Sequence, residues 1–519
     1  MADRVILVEV DVTSPLGALS TLRFADRAIR PMHPDDPDRA NVAWDDRLVE
    51  PPTLRRALFE DFAQLTPGLG VGMMILDNGD GGLDGYQGHT WGAIRVWRWT
   101  EGSDFAEAED VGAGLCALPG FDHASDQPSR VQVGFVDYRG ELDVAAQAVT
   151  YAGTNGVGGV LYEGAADGLK GKPKPLAYGR LTDAHIPAPQ VNGAIRAHQL
   201  NDGAVNGSIA IFDRGDAAGF ANQGDKIGGL FDAFNPAAAA YCTDKGRGLL
   251  KINGDPAGTL SFGCQGDSTP TYVETAGPIM ARILARAGVP AGRISASVAA
   301  LASTAPVGIF SAEPVNASEL IKPLARAALT ALIPDRLGVW EALPITPPAA
   351  IADFTLDYDQ VRNLQADRSA PAPAGAIRVG WGQIHTTFAG SDLAPALRNT
   401  SAAERLGSAW RWAVLEDAAV KARAPGAWRT IQIETALRVE ADALALAANL
   451  KALFGLRPDG APRRQWRVEI EWTAQALALP LGSTVRLIYP PRDLDGNFLL
   501  LGEEPMRPTR DAVIWTLWG

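Results

Sequence analysis

Acidic and amide side chains cluster in one turn-rich stretch of the sequence, residues 76–84. An EF-hand loop places oxygen ligands at positions 3, 5 and 9, and this stretch matches them with Asn78, Asp80 and Asp84. In that register Leu76 and Gln87 fall where the first and last carboxylate ligands belong. The alternative is a tight turn, because glycine accepts positive φ and Asn and Asp side chains bond to their own backbone. The spacing favours the turn, and we expect no metal here.

Catalytic motifs are missing from the rest of the chain. No GxSxG, HExxH or GxxxxGK[ST] pattern occurs, and the glycine-rich residues 153–159 lack the GxGxxG spacing. Carboxylate pairs such as Asp353 with Asp357, or Glu469 with Glu471, could serve a glycosidase, which needs two acids beside one bond. A solvated strand surface is the alternative. The sequence therefore predicts a protein that is not an enzyme.

Cysteine and histidine spacing predicts no cofactor. Cys116, Cys242 and Cys264 are too far apart for a CxxC site, and an odd count argues against a disulfide framework. A zinc or iron–sulfur site would need distant segments to converge, whereas small buried hydrophobic side chains are the simpler interpretation. The six histidines include no pair at helical spacing.

The 13 tryptophans leave two interpretations open. Trp91, Trp97 and Trp99, or Trp410 and Trp412, could stack on sugars at a receptor site. At a period of two they equally suit the buried face of a strand, and this is the interpretation we favour.

Length and charge bound the class of protein. A chain of 519 residues exceeds one hydrophobic core and predicts about three or four domains. The net charge of −13 disfavours a protein that grips nucleic acid through phosphate contacts. It does not exclude a protein past which DNA slides, and a need for solubility explains the same charge equally well. Neither a signal peptide nor a long apolar span is evident, so we expect synthesis in a cytoplasm.

Periodicity predicts strands over residues 5–13, 91–99, 336–340, 377–388, 428–437, 465–474 and 484–490. It predicts helices over residues 52–64, 272–287 and 439–454. A fourth helix is predicted to follow a capping box at residues 316–319, and Pro323 would lie inside that helix. Residues 161–179 read as a loop rich in Gly, Lys and Pro. In residues 467–472 the apolar and charged side chains alternate, which indicates a sheet with one wet face.

Several blocks of this sequence resemble large tail proteins of long-tailed bacteriophages. The most specific block is residues 251–262, which Gln265, Gly266 and Asp267 follow. The others are residues 27–31, 44–48, 76–84, 187–192, 209–215, 481–485 and 515–519. They are scattered over nearly the whole chain, and none of them is an active-site motif.

Together with the periodicity, the resemblance implies a mainly β, multidomain fold with an α+β insert. It implies an N-terminal tail-tube-like domain at residues 1–150, a connection at 151–180 and a β domain at 181–268. A small α/β module at 269–345 and a second tail-tube-like β-sandwich or barrel domain with one flanking helix at 351–519 complete the chain.

The resemblance also implies a function, that of a baseplate hub in the virion of a phage or of a tail-derived particle such as a gene transfer agent. Such a hub is a homotrimeric ring that joins the tail tube to the tip, contacts the distal tail protein and other tail-tip proteins, and lets DNA pass. Two tube-like domains per subunit would let a trimer mimic a hexameric ring. The alternatives are a carbohydrate-binding tail adhesin and a tail-associated cell-wall hydrolase, which the missing motifs disfavour.

Overall fold

The computed structural model describes residues 4–52, 55–122, 129–367, 370–504 and 512–519. Its secondary structure is mainly β, with 39% strand and 18% helix. The strands form several sheets. This confirms the predicted fold class, a mainly β multidomain chain with a smaller helical part.

The first part of the chain builds a large antiparallel sheet. Nine strands occur in this part: β1 (Arg4–Thr13), β2 (Leu19–Ala25), β3 (Leu48–Glu50), β4 (Arg56–Ala57), β5 (Val71–Asp77), β6 (Thr90–Thr100), β7 (Glu109–Cys116), β8 (Gly120–Asp122) and β9 (Arg130–Val136). All of them belong to this sheet except β4, which joins a later one. The order across the sheet is β2-β1-β6-β7-β9-β5-β3, and β8 pairs with β9. Ile6, Val8 and Val10 alternate along β1 into the main core, as β-branched side chains on a pleated strand favour.

The middle part forms most of two five-stranded sheets. Its elements are β10 (Leu176–Ile186), β11 (Gln190–Asn192), β12 (Ala197–Gln199), β13 (Val205–Asp213), β14 (Asp216–Ala217), β15 (Ala221–Asp225), α1 (Gly229–Ala233), β16 (Ala240–Asp244), β17 (Leu249–Asn253) and β18 (Leu260–Asp267). One sheet contains β14-β13-β18-β10 and the other has the order β11-β12-β17-β16-β15. Leu181, Leu250 and Phe262 lie in the apolar core that these sheets share.

A helical segment follows. Its elements are α2 (Ala276–Arg286), α3 (Ala296–Ala299), β19 (Gly308–Ser311), α4 (Ala317–Ala327), β20 (Thr330–Pro334) and β21 (Trp340–Pro344). Strand β19 extends the middle sheet by pairing with β10, while β20 and β21 form a hairpin. Ile279 and Ile283 of α2, and Leu320 and Leu324 of α4, point into the main core.

The last part contains a second large sheet and a smaller one. Its elements are β22 (Phe354–Leu356), β23 (Val361–Ala366), β24 (Ala374–Trp381), α5 (Ser401–Leu406), β25 (Arg411–Glu416), α6 (Ala418–Arg423), β26 (Arg429–Glu434), α7 (Glu440–Phe454), β27 (Gln465–Glu471), α8 (Ala474–Ala478), β28 (Thr484–Tyr489), β29 (Leu494–Glu504) and β30 (Ala512–Trp518). The large sheet has the order β22-β28-β29-β30-β27-β23, and the small one β25-β24-β26.

The first and last parts are joined by backbone pairing. Strand β4 pairs with β29, with Gly502 opposite Ala57 and Glu503 opposite Arg56. One apolar cluster runs from Ile6 to Trp518 and takes in side chains of both large sheets and of the helical segment. The large sheets therefore belong to one packed body.

The strongest periodicities predicted the elements correctly. Strands β1, β6, β27 and β28 and helices α2 and α7 lie where alternation or helical spacing placed them. Trp466, Val468 and Ile470 of β27 are buried and the side chains between them are more exposed, which confirms the sheet with one wet face.

Three local predictions were wrong. A helix was predicted over residues 52–64, but the described residues 55–64 do not form it, because β4 pairs with β29 and Asp61 accepts hydrogen bonds from the Ala63 and Gln64 amides in a turn. Asn316 precedes α4, but it donates to Asp143 instead of capping the helix, so no capping box forms. Residues 335–339 make the turn of the β20–β21 hairpin instead of a strand.

Candidate functional site

The side chain of Arg47 binds to the turn at residues 76–84. The Arg47 guanidinium donates to both Asp80 carboxylate oxygens, with Nη1–Oδ1 and Nη2–Oδ2 distances of 2.7 and 2.6 Å. These bonds hold the pKa of Asp80 well below its usual range. Asn78 accepts from the Leu83 amide at 2.8 Å and donates to Asp84 at 2.7 Å. The three residues that match positions of a calcium loop therefore meet in one turn, where they bond to each other, to the backbone and to Arg47.

The cysteines lie apart from one another in the fold. Cys264 is in the middle core, Cys242 is in a small neighbouring cluster, and Cys116 lies against the main core. Burial raises the pKa of Cys116 and of Cys264 to about 12, so both thiols stay protonated and unreactive at neutral pH. Among the described residues no group of three His, Cys, Asp or Glu side chains is arranged to hold a metal ion.

The carboxylates that were candidates for glycoside hydrolysis have separate structural surroundings. Asp353 accepts a hydrogen bond from the Thr484 amide at 2.8 Å, which joins the start of β28 to the segment before β22. Glu471 lies on the surface, 64% exposed, with Arg362 at 3.9 Å. Asp353 and Glu471 thus each have a structural partner.

The tryptophans of β6 are part of the core. Trp91, Trp97 and Trp99 are 4, 8 and 4% exposed. Trp97 packs edge-on against Trp44 and Phe105, with ring centroids 6.4 and 5.3 Å apart. No face of the Trp97 or Trp99 ring is open for stacking on a sugar, so the buried interpretation holds at this strand.

Glu503 links three distant parts of the chain. Its carboxylate accepts from Arg56 Nη1 at 2.7 Å and from Arg336 Nη2 at 2.5 Å. All three side chains are largely buried, with 6, 11 and 15% of their area exposed for Glu503, Arg56 and Arg336. Arg336 also donates to the Val111 carbonyl at 2.9 Å. This network ties the β20–β21 turn, β4 and β7 to β29.

Asp183 makes a similar link between the middle and last parts. It accepts from Arg438 at 2.5 Å and from Arg405 at 2.7 Å. Burial opposes ionisation of Asp183, but the two guanidiniums outweigh it and keep its pKa below the ordinary value. A carboxylate that accepts charge-assisted hydrogen bonds from two guanidiniums fixes the relative orientation of the elements that it joins.

A cavity of about 460 Å³ lies where β7, the β20–β21 hairpin and α8 meet. Leu343, Leu477 and Leu479 form an apolar wall, and Asp110 and Glu341 contribute carboxylates whose pKa burial raises. The described residues that line it include no histidine, cysteine or serine.

Sequence reasoning missed two exposed apolar surfaces on the first sheet. The first, here called the hairpin tip, is residues 14–19 between β1 and β2, where Leu16 is 97% and Leu19 76% exposed. The second, here called the outer patch, surrounds Gly134 of β9 and consists of Leu69, Val71, Met73, Ala117 and Leu118. The sequence Pro15-Leu16-Gly17 was the available signal, because a turn between two strands seldom presents a leucine to water.

No helix in the described ranges is long and apolar enough to cross a membrane.

Comparison with known proteins gives similar structures but no family. No family model matches the chain, and no curated protein matches it. A 43 kDa tail protein of prophage MuSo2 from Shewanella oneidensis is 9% identical with a TM-score of 0.40, over 98% of each chain. A tail protein from Neisseria meningitidis MC58 is 10% identical with a TM-score of 0.38, over 99% of this chain and 96% of that one. Prophage tail protein gp18 from Listeria monocytogenes EGD-e is 9% identical with a TM-score of 0.37, over 98% and 94%. All three similar structures are tail proteins, but at these TM-scores the role of the chain has to be argued from its own residues.

Proposed function

We propose that the protein is a structural component of a phage tail, the baseplate hub, which forms a trimeric ring between the tail tube and the tip. The observation that carries the proposal is the joining of two large β-sheets, one from each end of the sequence, into one packed body through β4 and β29. A subunit with two such sheets can present two similar faces around a ring axis. The tail-protein blocks in the sequence support the same role.

The ion networks around Glu503 and Asp183 suit a mechanical part. Glu503 and Asp183 each bridge two arginines from distant segments, so the sheets move together when force is applied to the subunit. The net charge of −13 suits a conduit, because an acidic lumen repels the DNA backbone and keeps it from adhering. On attachment of the particle, movement of tip partners would open the channel for DNA.

Electron microscopy of tail tips from particles that carry this chain, with symmetry analysis, tests the proposal. The expected result is three copies around an open or plugged axis, with the first and last sheets arranged as one ring. Copies at the periphery, away from the axis, would contradict the hub and point to an adhesin.

A further inference from the structure

The hairpin tip and the outer patch are both apolar and both uncharged. The tip presents Leu16 and Leu19 to solvent, and the patch presents Leu69, Val71 and Leu118 at 48, 59 and 85% exposure. Neither surface contains a charged side chain. Two copies that each carry a net charge of −13 repel each other, so their closest approach is most favourable where no charge is present.

The outer patch has an opening at its centre. Gly134 lies opposite Met73 in the β5–β9 pair, so both face the same side of the sheet. A Cβ atom added to Gly134 would meet only the Ala117 side chain, at an ordinary contact distance of 3.8 Å. The missing side chain leaves a notch between Met73 and Ala117 that has room for an apolar side chain from outside.

The two surfaces lie at opposite edges of one sheet and near the same end of it. The tip connects β1 to the edge strand β2, and the patch lies on β5 and β9 near the other edge. Five strand spacings of about 4.8 Å put roughly 24 Å between β2 and β5, so a tip cannot reach the patch of its own copy. Thr13, just before the tip, pairs with Thr90 at the start of β6. Strand β7 runs antiparallel to β6, so the end of β7 and Leu118 after it lie beside the start of β6, at the same end of the sheet as the tip.

We propose that the hairpin tip of one copy docks into the outer patch of the next copy, with Leu16 over Gly134. Contact between two different surfaces is head-to-tail, and its repetition generates a ring when the rotation between copies closes. The proposal rests on the proposed hub function and names the surfaces through which the ring closes.

The buried area indicates when this contact forms. A large aliphatic side chain buries on the order of 100 Å², so the six exposed side chains on the two surfaces bury roughly 400 Å². A stable interface buries about 1,600 Å² in total. One contact alone is too small for a stable dimer in dilute solution, whereas each subunit of a closed ring is held by two contacts. Assembly should therefore need high concentration or a tail-tip partner.

Thiol cross-linking of the full chain tests the contact directly. Leu16→Cys and Leu118→Cys are combined in a Cys116→Ala background, and a short bismaleimide is added over rising protein concentration and in tail particles. We expect a ladder of cross-linked species that ends at the ring. The pair Leu16→Cys with Ile351→Cys, whose second position is 85% exposed in another part of the chain, should give none.

Sedimentation equilibrium provides the second measurement. Leu16→Asp places a charge in the contact, and Gly134→Trp fills the notch at a strand position that tolerates a side chain. Each should lower the association constant at least tenfold, while the matched variants Ile351→Asp and Gly390→Val leave it unchanged. Association that is equally strong in Leu16→Asp and in the unmodified chain would overturn the proposal.

The two proposals fail in different ways. Three axial copies in the tail tip without a cross-link between positions 16 and 118 would overturn this interface and leave the hub function intact. Copies away from the tail axis would refute the hub, and a cross-link between positions 16 and 118 in concentrated solution would still establish the contact.

Discussion

Replacing Glu503 with glutamine removes the one negative charge that Arg56 and Arg336 share. The carboxylate lies 2.7 and 2.5 Å from their guanidinium nitrogens, and little of any of these side chains is exposed. Breaking a buried ion pair by removing one partner leaves an uncompensated charge and costs about 3–5 kcal/mol. We therefore expect Glu503→Gln to lower the free energy of unfolding by about 4 kcal/mol, within that range.

Urea denaturation followed by tryptophan fluorescence measures this change. The slope exceeds the roughly 1–3 kcal/mol per M of small proteins because a chain of 519 residues exposes more surface on unfolding, so the midpoint should fall by about 1 M. The triple variant Arg56→Met, Arg336→Met, Glu503→Leu should recover most of the loss, because replacing a whole buried network by apolar side chains is often neutral. Asp495→Asn, which breaks a pair whose side chains are about half exposed, is the control and should change the midpoint little. An unchanged midpoint for Glu503→Gln, or a triple variant less stable than the single one, would refute the reasoning.

Three further predictions follow from single sites. Burial lowers the pKa of His185 to about 4. Its contribution to stability is therefore complete above pH 6.5, and about 3 kcal/mol of it is lost as the pH falls from 6.5 to about 4. The urea midpoint should depend less on pH in His185→Phe than in the unmodified chain, and an identical dependence would contradict this. Gly338→Ala should destabilise the fold by more than about 1 kcal/mol beyond the matched variant Gly102→Ala. Both glycines have a positive φ, but only at Gly338 does the added Cβ meet a ring, that of Tyr138, at 2.3 Å. Equal melting temperatures of the two variants would show that this contact does not matter. Millimolar calcium should leave the melting temperature unchanged, because Arg47 already occupies the turn that resembles a calcium loop; a rise with calcium would contradict this geometry.

The sequence predicted those elements whose pattern comes from local burial. Strand β27 alternates because one face of it is buried, and α7 repeats its leucines because one side packs on the core. Strand β6 was also found by its alternation, although it is buried on both faces from Val96 to Trp99. The helix predicted at residues 52–64 failed because β4 finds its partner on β29, and Arg56 and Glu503 are 447 residues apart. Helical spacing in a short window carries no information about such a partner.

The candidate site was less predictable for the same reason. The turn at residues 76–84 was identified as a turn from its own residues, but the arginine that fills it comes from a position 33 residues earlier. Exposure of Leu16 or Met73 depends on what the rest of the chain leaves uncovered, and neither residue type nor spacing reports that. Single-sequence reasoning thus identifies strands more readily than it identifies the surfaces that strands leave open.

The order of strands in the last large sheet constrains how the protein is made. Strand β30 follows its neighbours in the chain, yet it lies between β27 and β29. A ribosome adds about 5–20 residues per second, so β4, near the start, has no partner for tens of seconds while the rest is synthesised. Until then its edge and the apolar side chains of the later strands are exposed to other chains. The joint between the first and last parts therefore forms only after nearly all of the chain is made, and cells that produce it in quantity should depend on chaperones that shield unpaired strands.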